Sequence, residues 1–133
     1  MSFLYGFSGY NQVVVHPDDQ EKTTFTTPWD TFMYAKIPFG LMNSGATFQR
    51  AMDLDFVGLK DKFVLIYLDD LTIYSHSHHD HLKHLRKVFL KWKRYGISLN
   101  PKKSQFALSE GKLLGHIVSA EGVKIDPVRV EAI

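Results

Sequence analysis

Two adjacent carboxylates, set between two apolar runs, constrain this chain more than any other feature. Residues 63–68 read FVLIYL and residues 71–74 read LTIY, with Asp69 and Asp70 between them. Bulky and β-branched residues favour strands, and a polar break between two such runs favours a tight turn. We therefore expect a β-hairpin with both aspartates at its tip. Because carboxylates are costly to hold beside an apolar sheet, we expect this pair to bind divalent cations.

The composition limits the class of protein. The 133 residues suffice for one domain with a core, and a hydrophobic content of 44% argues against disorder. The formal net charge of +2 is too small to indicate a partner, and the absence of cysteine excludes disulfides and thiolate metal sites. Neither a membrane-span pattern nor a signal peptide is present. We expect an intracellular protein without a membrane partner, located in a cytoplasmic particle or in the nucleus.

The last residues predict a helix that stops early. Asp126 followed by Pro127 is a typical helix start, and the chain then ends at Ile133, after about two turns. A helix of this length is marginal without more chain to pack against. We therefore expect residues 1–133 to be a piece of a longer protein.

The remaining pattern predicts short strands joined mainly by hairpins, with two longer helices. One helix begins at Asn43 or Ser44, and its apolar face comprises Phe48, Met52, Phe56 and Leu59. The other runs over 79–95, ends at Gly96, and buries Leu82, Leu85, Val88 or Phe89, and Trp92. Strands are predicted at 3–7, 12–16, 22–27, 31–37, 112–119 and 123–125 and within the loop 97–106. This predicts an α+β fold with an antiparallel sheet and helices packed on one face.

Five stretches, which occur along the chain in the family's order, resemble a known family. The stretch Tyr67-Leu68-Asp69-Asp70 between apolar strands resembles the active-site hairpin of reverse transcriptases. Residues 38–50 (PFGLMNSGATFQR) resemble the block that precedes this hairpin in gypsy-type LTR retrotransposon polymerases. Residues 8–12 (SGYNQ) and 19–25 (DQEKTTF) resemble the block before that one, and residues 113–119 (LLGHIVS) resemble the segment after the hairpin. The resemblance covers nearly the whole chain.

The resemblance implies RNA-directed DNA polymerisation at two magnesium ions, with Asp69 as the main ligand of the hairpin and Asp70 as its neighbour. Two such ions activate the primer 3′-hydroxyl and hold the triphosphate. The chain departs from the family at Tyr5, where the other metal-binding aspartate is expected. A neutral phenol cannot replace that carboxylate, and Asp18 and Asp19 lie too far along the chain to substitute. We therefore expect this copy to be degenerate and inactive.

The resemblance also implies roles for other residues. Tyr10, Phe39 and Gly40 would contact the incoming dNTP, with Tyr10 excluding a 2′-hydroxyl. Lys103 would donate a proton to the leaving pyrophosphate. Residues that would contact the template or the primer end are Gln49, Arg50, Gly115 and His116. From the residues alone, Tyr10 could instead be a core aromatic and Gly115 an ordinary strand glycine. The remaining alternative is a solvated surface position, for Gln49, Arg50, Lys103 and His116.

The implied domain is a polymerase palm over 1–133, with a fingers-like part over about 17–40 and a thumb beginning near 126. The implied partners are an RNA or DNA template with its primer and dNTP, and the parent polyprotein would add the rest of the fingers, the thumb, ribonuclease H and integrase. The alternative function is a non-catalytic nucleic-acid-binding or protein-interaction remnant of a retroelement. We interpret the cations of residues 83–103 as a solvated face rather than a phosphate-binding stripe.

Overall fold

The computed structural model describes residues 1–6, 9–68 and 70–130. The helices are α1 (Pro17–Gln20), α2 (Ser44–Asp55), α3 (His78–Tyr95) and α4 (Pro127–Val130), with 3-10 turns at Gly9–Gln12 and Glu21–Thr23. The strands are β1 (Ser2–Tyr5), β2 (Phe25–Thr26), β3 (Thr31–Phe32), β4 (Val64–Tyr67), β5 (Asp70–Ile73), β6 (Glu110–Leu113), β7 (His116–Ser119) and β8 (Gly122–Ile125).

The central sheet is antiparallel, in the order β1-β5-β4. Because side chains alternate across a strand, Leu4, Leu71 and Ile73 point to one face and Tyr5 and Asp70 to the other. The first three side chains are buried in the main core together with residues of α2 and α3. The predicted α+β fold, with helices on one face of an antiparallel sheet, is therefore confirmed.

Helix α2 buries the face that the sequence predicts. Phe48 and Met52 are buried, and Phe56, which follows the helix, is fully buried. One carbonyl group at the C-terminus of this helix and one in the segment that follows it accept hydrogen bonds from α3. The Nζ atom of Lys91 donates to the carbonyl oxygens of Asp55 at 2.7 Å and Val57 at 3.3 Å. This contact fixes the end of α2 against α3.

Helix α3 has the predicted ends. Ser77 is its N-cap and accepts a hydrogen bond from the Asp80 N–H at 3.1 Å, and Gly96 ends it with a φ of +69°. No helix in the described ranges is both long and apolar enough to cross a membrane.

The predicted buried stripe of α3 is wrong at one end. Leu82 is 68% exposed, and His81 is buried in its place, with Leu85, Val88 and Trp92. A histidine is tolerated there because both ring nitrogens are hydrogen-bonded. Its Nε2 lies 2.7 Å from the Ser2 Oγ, and its Nδ1 lies 3.1 Å from the Ser75 Oγ.

Several strands are shorter than predicted. The single strand predicted over 112–119 is two strands, because Leu114 and Gly115, with φ of +50° and +79°, form a tight turn between them. The result is a three-stranded sheet, β6-β7-β8, instead of one hairpin. In the region predicted as a strand over 12–16, Val14 makes only an isolated bridge with Lys36, and Phe7 of the strand predicted over 3–7 lies outside the described residues. The hairpin predicted over 22–37 has two residues in each strand, since residues 21–23 form a 3-10 turn.

Candidate active site

The β4–β5 hairpin forms where the sequence predicts it, but Asp70 is the first residue of β5 instead of lying at the tip. Tyr67 pairs with Asp70, which leaves a two-residue loop. The first loop residue, Leu68, has a φ of +50°, in the left-handed region that residues with a side chain seldom adopt. The second loop residue, Asp69, lies outside the described residues. Asp70 begins β5 and is half-buried.

Strand β1 places Tyr5 directly opposite Asp70 in the register. Both side chains belong to the face of the central sheet that is turned away from α2 and α3. Burial raises the pKa of the Tyr5 phenol, and the negative charge of Asp70 raises it further. The phenol therefore stays neutral at physiological pH, next to the position where a metal site would need a second acid.

A loop brings Lys103 to the outer edge of β1. The Asn100 N–H donates to the carbonyl oxygen of Tyr5 at 2.8 Å, and the Tyr5 N–H donates to the Ser104 Oγ at 3.3 Å. Lys103 is exposed in the turn between these two contacts. The structure thus attaches the loop of Lys103 to the same residue that faces Asp70.

Gln49 contacts the hairpin from the side of α2. Its Oε1 accepts a hydrogen bond from the Leu68 N–H at 2.5 Å, and its Nε2 donates to the carbonyl oxygen of Ile66 at 3.3 Å. The sequence predicts a template contact for Gln49 and shows nothing of this arrangement, since the partners lie 17 and 19 residues away along the chain.

The other predicted site residues occupy separate elements. Phe39 is 86% exposed, Gly40 has a φ of +96°, and Arg50 is exposed on α2. Tyr10 lies in the 3-10 turn Gly9–Gln12, and its side chain is outside the described part of the structure. Gly115 and His116 lie at the β6–β7 turn, in a different sheet from Asp70.

A cavity of about 440 Å³ opens beside Tyr5, and sequence reasoning missed it. Its lining includes Phe3, Tyr5, Glu110 and Lys112. Glu110 is therefore the acid that shares a cavity with the Tyr5 phenol. No sequence pattern relates Glu110 to Tyr5, because Glu110 belongs to β6, about a hundred residues from Tyr5 along the chain.

In the described part of the site, the donors beside Asp70 lack the second carboxylate that a two-ion magnesium site needs. Such a site needs carboxylates from neighbouring strands, and here a neutral phenol faces Asp70. Within residues 1–6, 9–68 and 70–130, no three acidic or histidine side chains come together as metal ligands.

Sequence comparison finds related proteins over most of the chain. Residues 2–118 match the family model described as reverse transcriptase (RNA-dependent DNA polymerase). The Pol polyprotein of transposon 297 from Drosophila melanogaster is 38% identical over 125 residues, which is 94% of this chain and 12% of that protein. The corresponding polyprotein of transposon gypsy is 34% identical over 126 residues, and an RNA-directed DNA polymerase homolog from Oenothera berteroana is 48% identical over 84 residues. The chain thus spans about an eighth of the length of the transposon relatives.

Structural comparison finds the same fold. The foamy viral protease-reverse transcriptase in complex with an RNA/DNA hybrid matches with a TM-score of 0.81 and 25% identity, over 93% of this chain and 17% of that one. The same viral enzyme in a complex with double-stranded DNA matches with a TM-score of 0.85 and 24% identity, over 99% of this chain and 24% of that one. The fold of the described residues is therefore that of a polymerase fragment.

Proposed function

This chain belongs to the reverse transcriptase family, as a fragment of the gypsy-type retrotransposon kind, and on that premise we propose that it is the palm, with a fingers-like part over about 17–40, of an RNA-directed DNA polymerase. The parent reaction joins the primer 3′-oxygen to the α-phosphorus of a dNTP and releases pyrophosphate. The partners are a template with its primer and dNTP, and complexes of the foamy viral relatives with nucleic acid support this part of the proposal.

We propose further that this copy does not catalyse the reaction, and the pairing of Tyr5 with Asp70 carries that proposal. Magnesium, when bound, would lower the pKa of the primer hydroxyl and hold the triphosphate. Asp69 and Asp70 both belong to the β4–β5 hairpin, so they supply acid ligands from only one side of the site. The Tyr5 phenol is neutral, with its pKa raised by burial and by Asp70, so the second strand offers no carboxylate.

The remaining residues have supporting roles in the parent reaction. We propose that Tyr10, Phe39 and Gly40 contact the dNTP. Lys103 donates a proton to the leaving pyrophosphate. The exposed position of Lys103, on a loop hydrogen-bonded to Tyr5, supports this assignment. Arg50, Gly115 and His116 are assigned to the nucleic acid.

The test is a chimera in which this chain replaces the matching segment of the transposon 297 polymerase. With Tyr5 present, we expect no primer extension in magnesium. Tyr5→Asp should restore extension by roughly three orders of magnitude or more, since a shared metal ligand supplies several kcal/mol of stabilisation. Tyr5→Asn is the matched control, because it has the size of the aspartate without its charge and should stay inactive.

Two outcomes would contradict the proposal. One is extension by the Tyr5 chimera at a rate close to that of Tyr5→Asp. In that case Glu110→Gln decides whether the acid in the neighbouring cavity replaces the missing ligand. The other is a Tyr5→Asp chimera that stays inactive while it still binds the primer–template. That outcome favours the non-catalytic nucleic-acid-binding function.

A further inference from the structure

We propose that Gln49 is a positioning residue, whose side-chain amide holds the turn of the β4–β5 hairpin and so sets the position of the Asp70 carboxylate. The inference rests on the proposed function, because it assigns that carboxylate to a nucleotide-transfer site. It gives Gln49 a role within the protein in place of the contact with the template that the sequence predicts.

The amide of Gln49 completes the open edge of the central sheet. Strand β4 is an edge strand, and its pairing with β5 ends at Tyr67 and Asp70. The carbonyl group of Ile66 and the N–H of Leu68, on either side of Tyr67, both bind Gln49. One side-chain amide therefore supplies the donor and the acceptor that a further strand would supply at this point.

The bond to Leu68 falls on the strained residue of the turn. Leu68 has a φ of +50°, and a left-handed conformation is unfavourable for a residue with a Cβ atom. Leu68 is 42% exposed and lies outside the buried core cluster. The short hydrogen bond from the Leu68 N–H to the Gln49 Oε1, at 2.5 Å, is a contact that favours this conformation over the extended one.

A second contact fixes the orientation of the amide. The Nε2 atom of Gln49 also donates to the Asp53 Oδ1 at 3.2 Å, and that oxygen lies 2.7 Å from the Lys60 Nζ. An amide nitrogen has two hydrogens, and here they serve the Ile66 carbonyl and the Asp53 carboxylate. Turning the amide over would place its oxygen against two acceptors, so only one orientation keeps Oε1 opposite the Leu68 N–H.

The first experiment measures the contact itself, by amide hydrogen exchange of this chain in NMR. Gln49→Met keeps the length of the side chain and removes its hydrogen bonds. We expect the exchange of the Leu68 N–H to become at least tenfold faster. Gln12→Met is the matched control, because Gln12 makes a similar pair of contacts with Ser98, at 3.2 and 2.6 Å. It should accelerate exchange at Ser98 and leave Leu68 unchanged.

The second experiment measures the consequence for metal binding. In the Tyr5→Asp variant of this chain, which restores the second acid, manganese, a paramagnetic probe for magnesium sites, should broaden the amide signal of Asp70. Gln49→Met should raise the manganese concentration needed for half of that broadening by about fivefold or more, and Gln12→Met should not. In the Tyr5→Asp chimera, Gln49→Met should lower kcat at least tenfold while the KM for dNTP changes less than threefold. That split separates positioning of the Asp70 carboxylate from loss of substrate binding.

The outcomes distinguish this inference from the proposed function. An inactive Tyr5→Asp chimera contradicts the function, whereas the exchange of Leu68 and the manganese titration still decide the role of Gln49. Unchanged Leu68 exchange, or an unchanged manganese midpoint, in Gln49→Met overturns the inference. If Gln49→Met does not fold, Gln49→Asn replaces it in both experiments, since it keeps the amide but shortens its reach by one methylene, and the same changes at Leu68 and in the manganese midpoint are expected.

Discussion

Two of the antiparallel hairpins in the described residues, β4–β5 and β2–β3, have very different surroundings. In the β4–β5 hairpin, Val64 and Ile73 are fully buried against the helices, and β1 pairs with β5 along its whole length. In the β2–β3 hairpin, every residue of both strands is exposed. Phe25 lies 6.0 Å from Phe32 between ring centroids, across the two strands. The β4–β5 hairpin is part of the core, whereas the β2–β3 hairpin is stabilised mainly by contacts between its own residues.

The turns of the two hairpins show the same difference. The Thr27 Oγ1 accepts hydrogen bonds from the N–H groups of Trp29 at 3.3 Å and Asp30 at 3.2 Å, so the β2–β3 turn is closed by a side chain of its own. The β4–β5 turn is held by Gln49, from a helix far along the chain. A turn held from a distance can carry strain, such as the left-handed Leu68, because the rest of the fold stabilises it.

The largest expected effect comes from truncating one large side chain to alanine in each of the two hairpins and comparing the loss of stability. Ile73→Ala leaves a cavity in the core and should lower the free energy of unfolding by about 2–5 kcal/mol. Phe32→Ala removes a larger side chain from an exposed strand, and should cost less than about 1 kcal/mol. Urea denaturation followed by circular dichroism measures both. Equal losses would mean that the β2–β3 hairpin belongs to the same cooperative core as the central sheet.

The sequence predicts those parts of the fold whose cause lies close along the chain. The acidic hairpin follows from two β-prone runs, the face of α2 from the spacing of Phe48 and Met52, and the end of α3 from Gly96. The resemblance implies only that Tyr5 stands where the family has its other metal-binding aspartate, and the pairing of Tyr5 with Asp70 comes from the register of the structure.

The remaining features depend on contacts between distant segments. The burial of His81 in place of Leu82 requires the hydroxyl groups of Ser2 and Ser75, which come from two other elements. The division of residues 112–119 into two strands requires Leu114 to adopt a left-handed conformation. Leucine rarely adopts this conformation, so the residue type gives no sign of it. The contacts of Gln49 and the cavity beside Tyr5 likewise join segments that a linear pattern does not relate.

The second prediction uses pH to weaken the central sheet selectively. Burial lowers the pKa of His81, and the positive charges of the N-terminal amino group, His84 and His78 lower it further. The folded protein therefore holds His81 neutral, and its contribution to stability is complete above the unfolded pKa of about 6.5 and is lost as the pH falls below that value. A single group gives a slope of at most about 1.4 kcal/mol per pH unit.

The measurement is the free energy of unfolding at intervals from pH 7.5 to pH 5. His81→Gln removes the titrating ring and keeps a polar side chain, so its stability should depend less on pH over the same interval. Hydrogen exchange in the β2–β3 hairpin, corrected for the intrinsic effect of pH, should change less than exchange in β1. A pH dependence that is the same with and without His81 would assign the acid sensitivity to other histidines.

The smallest expected effect tests whether the β2–β3 turn is indeed closed locally. Thr27→Ala removes the acceptor for the N–H groups of Trp29 and Asp30, and a hydrogen-bonded hydroxyl of this kind contributes about 0.5–1.5 kcal/mol. Because the hairpin is exposed, we expect the loss as faster amide exchange at Trp29 and Asp30, with a change in global stability below about 0.5 kcal/mol. Thr26→Ala removes the same atoms one residue earlier and should leave the exchange at Asp30 unchanged. If Thr27→Ala also accelerated exchange at Leu68, the two turns would be coupled, and the contrast between a local and a remotely held hairpin would fail.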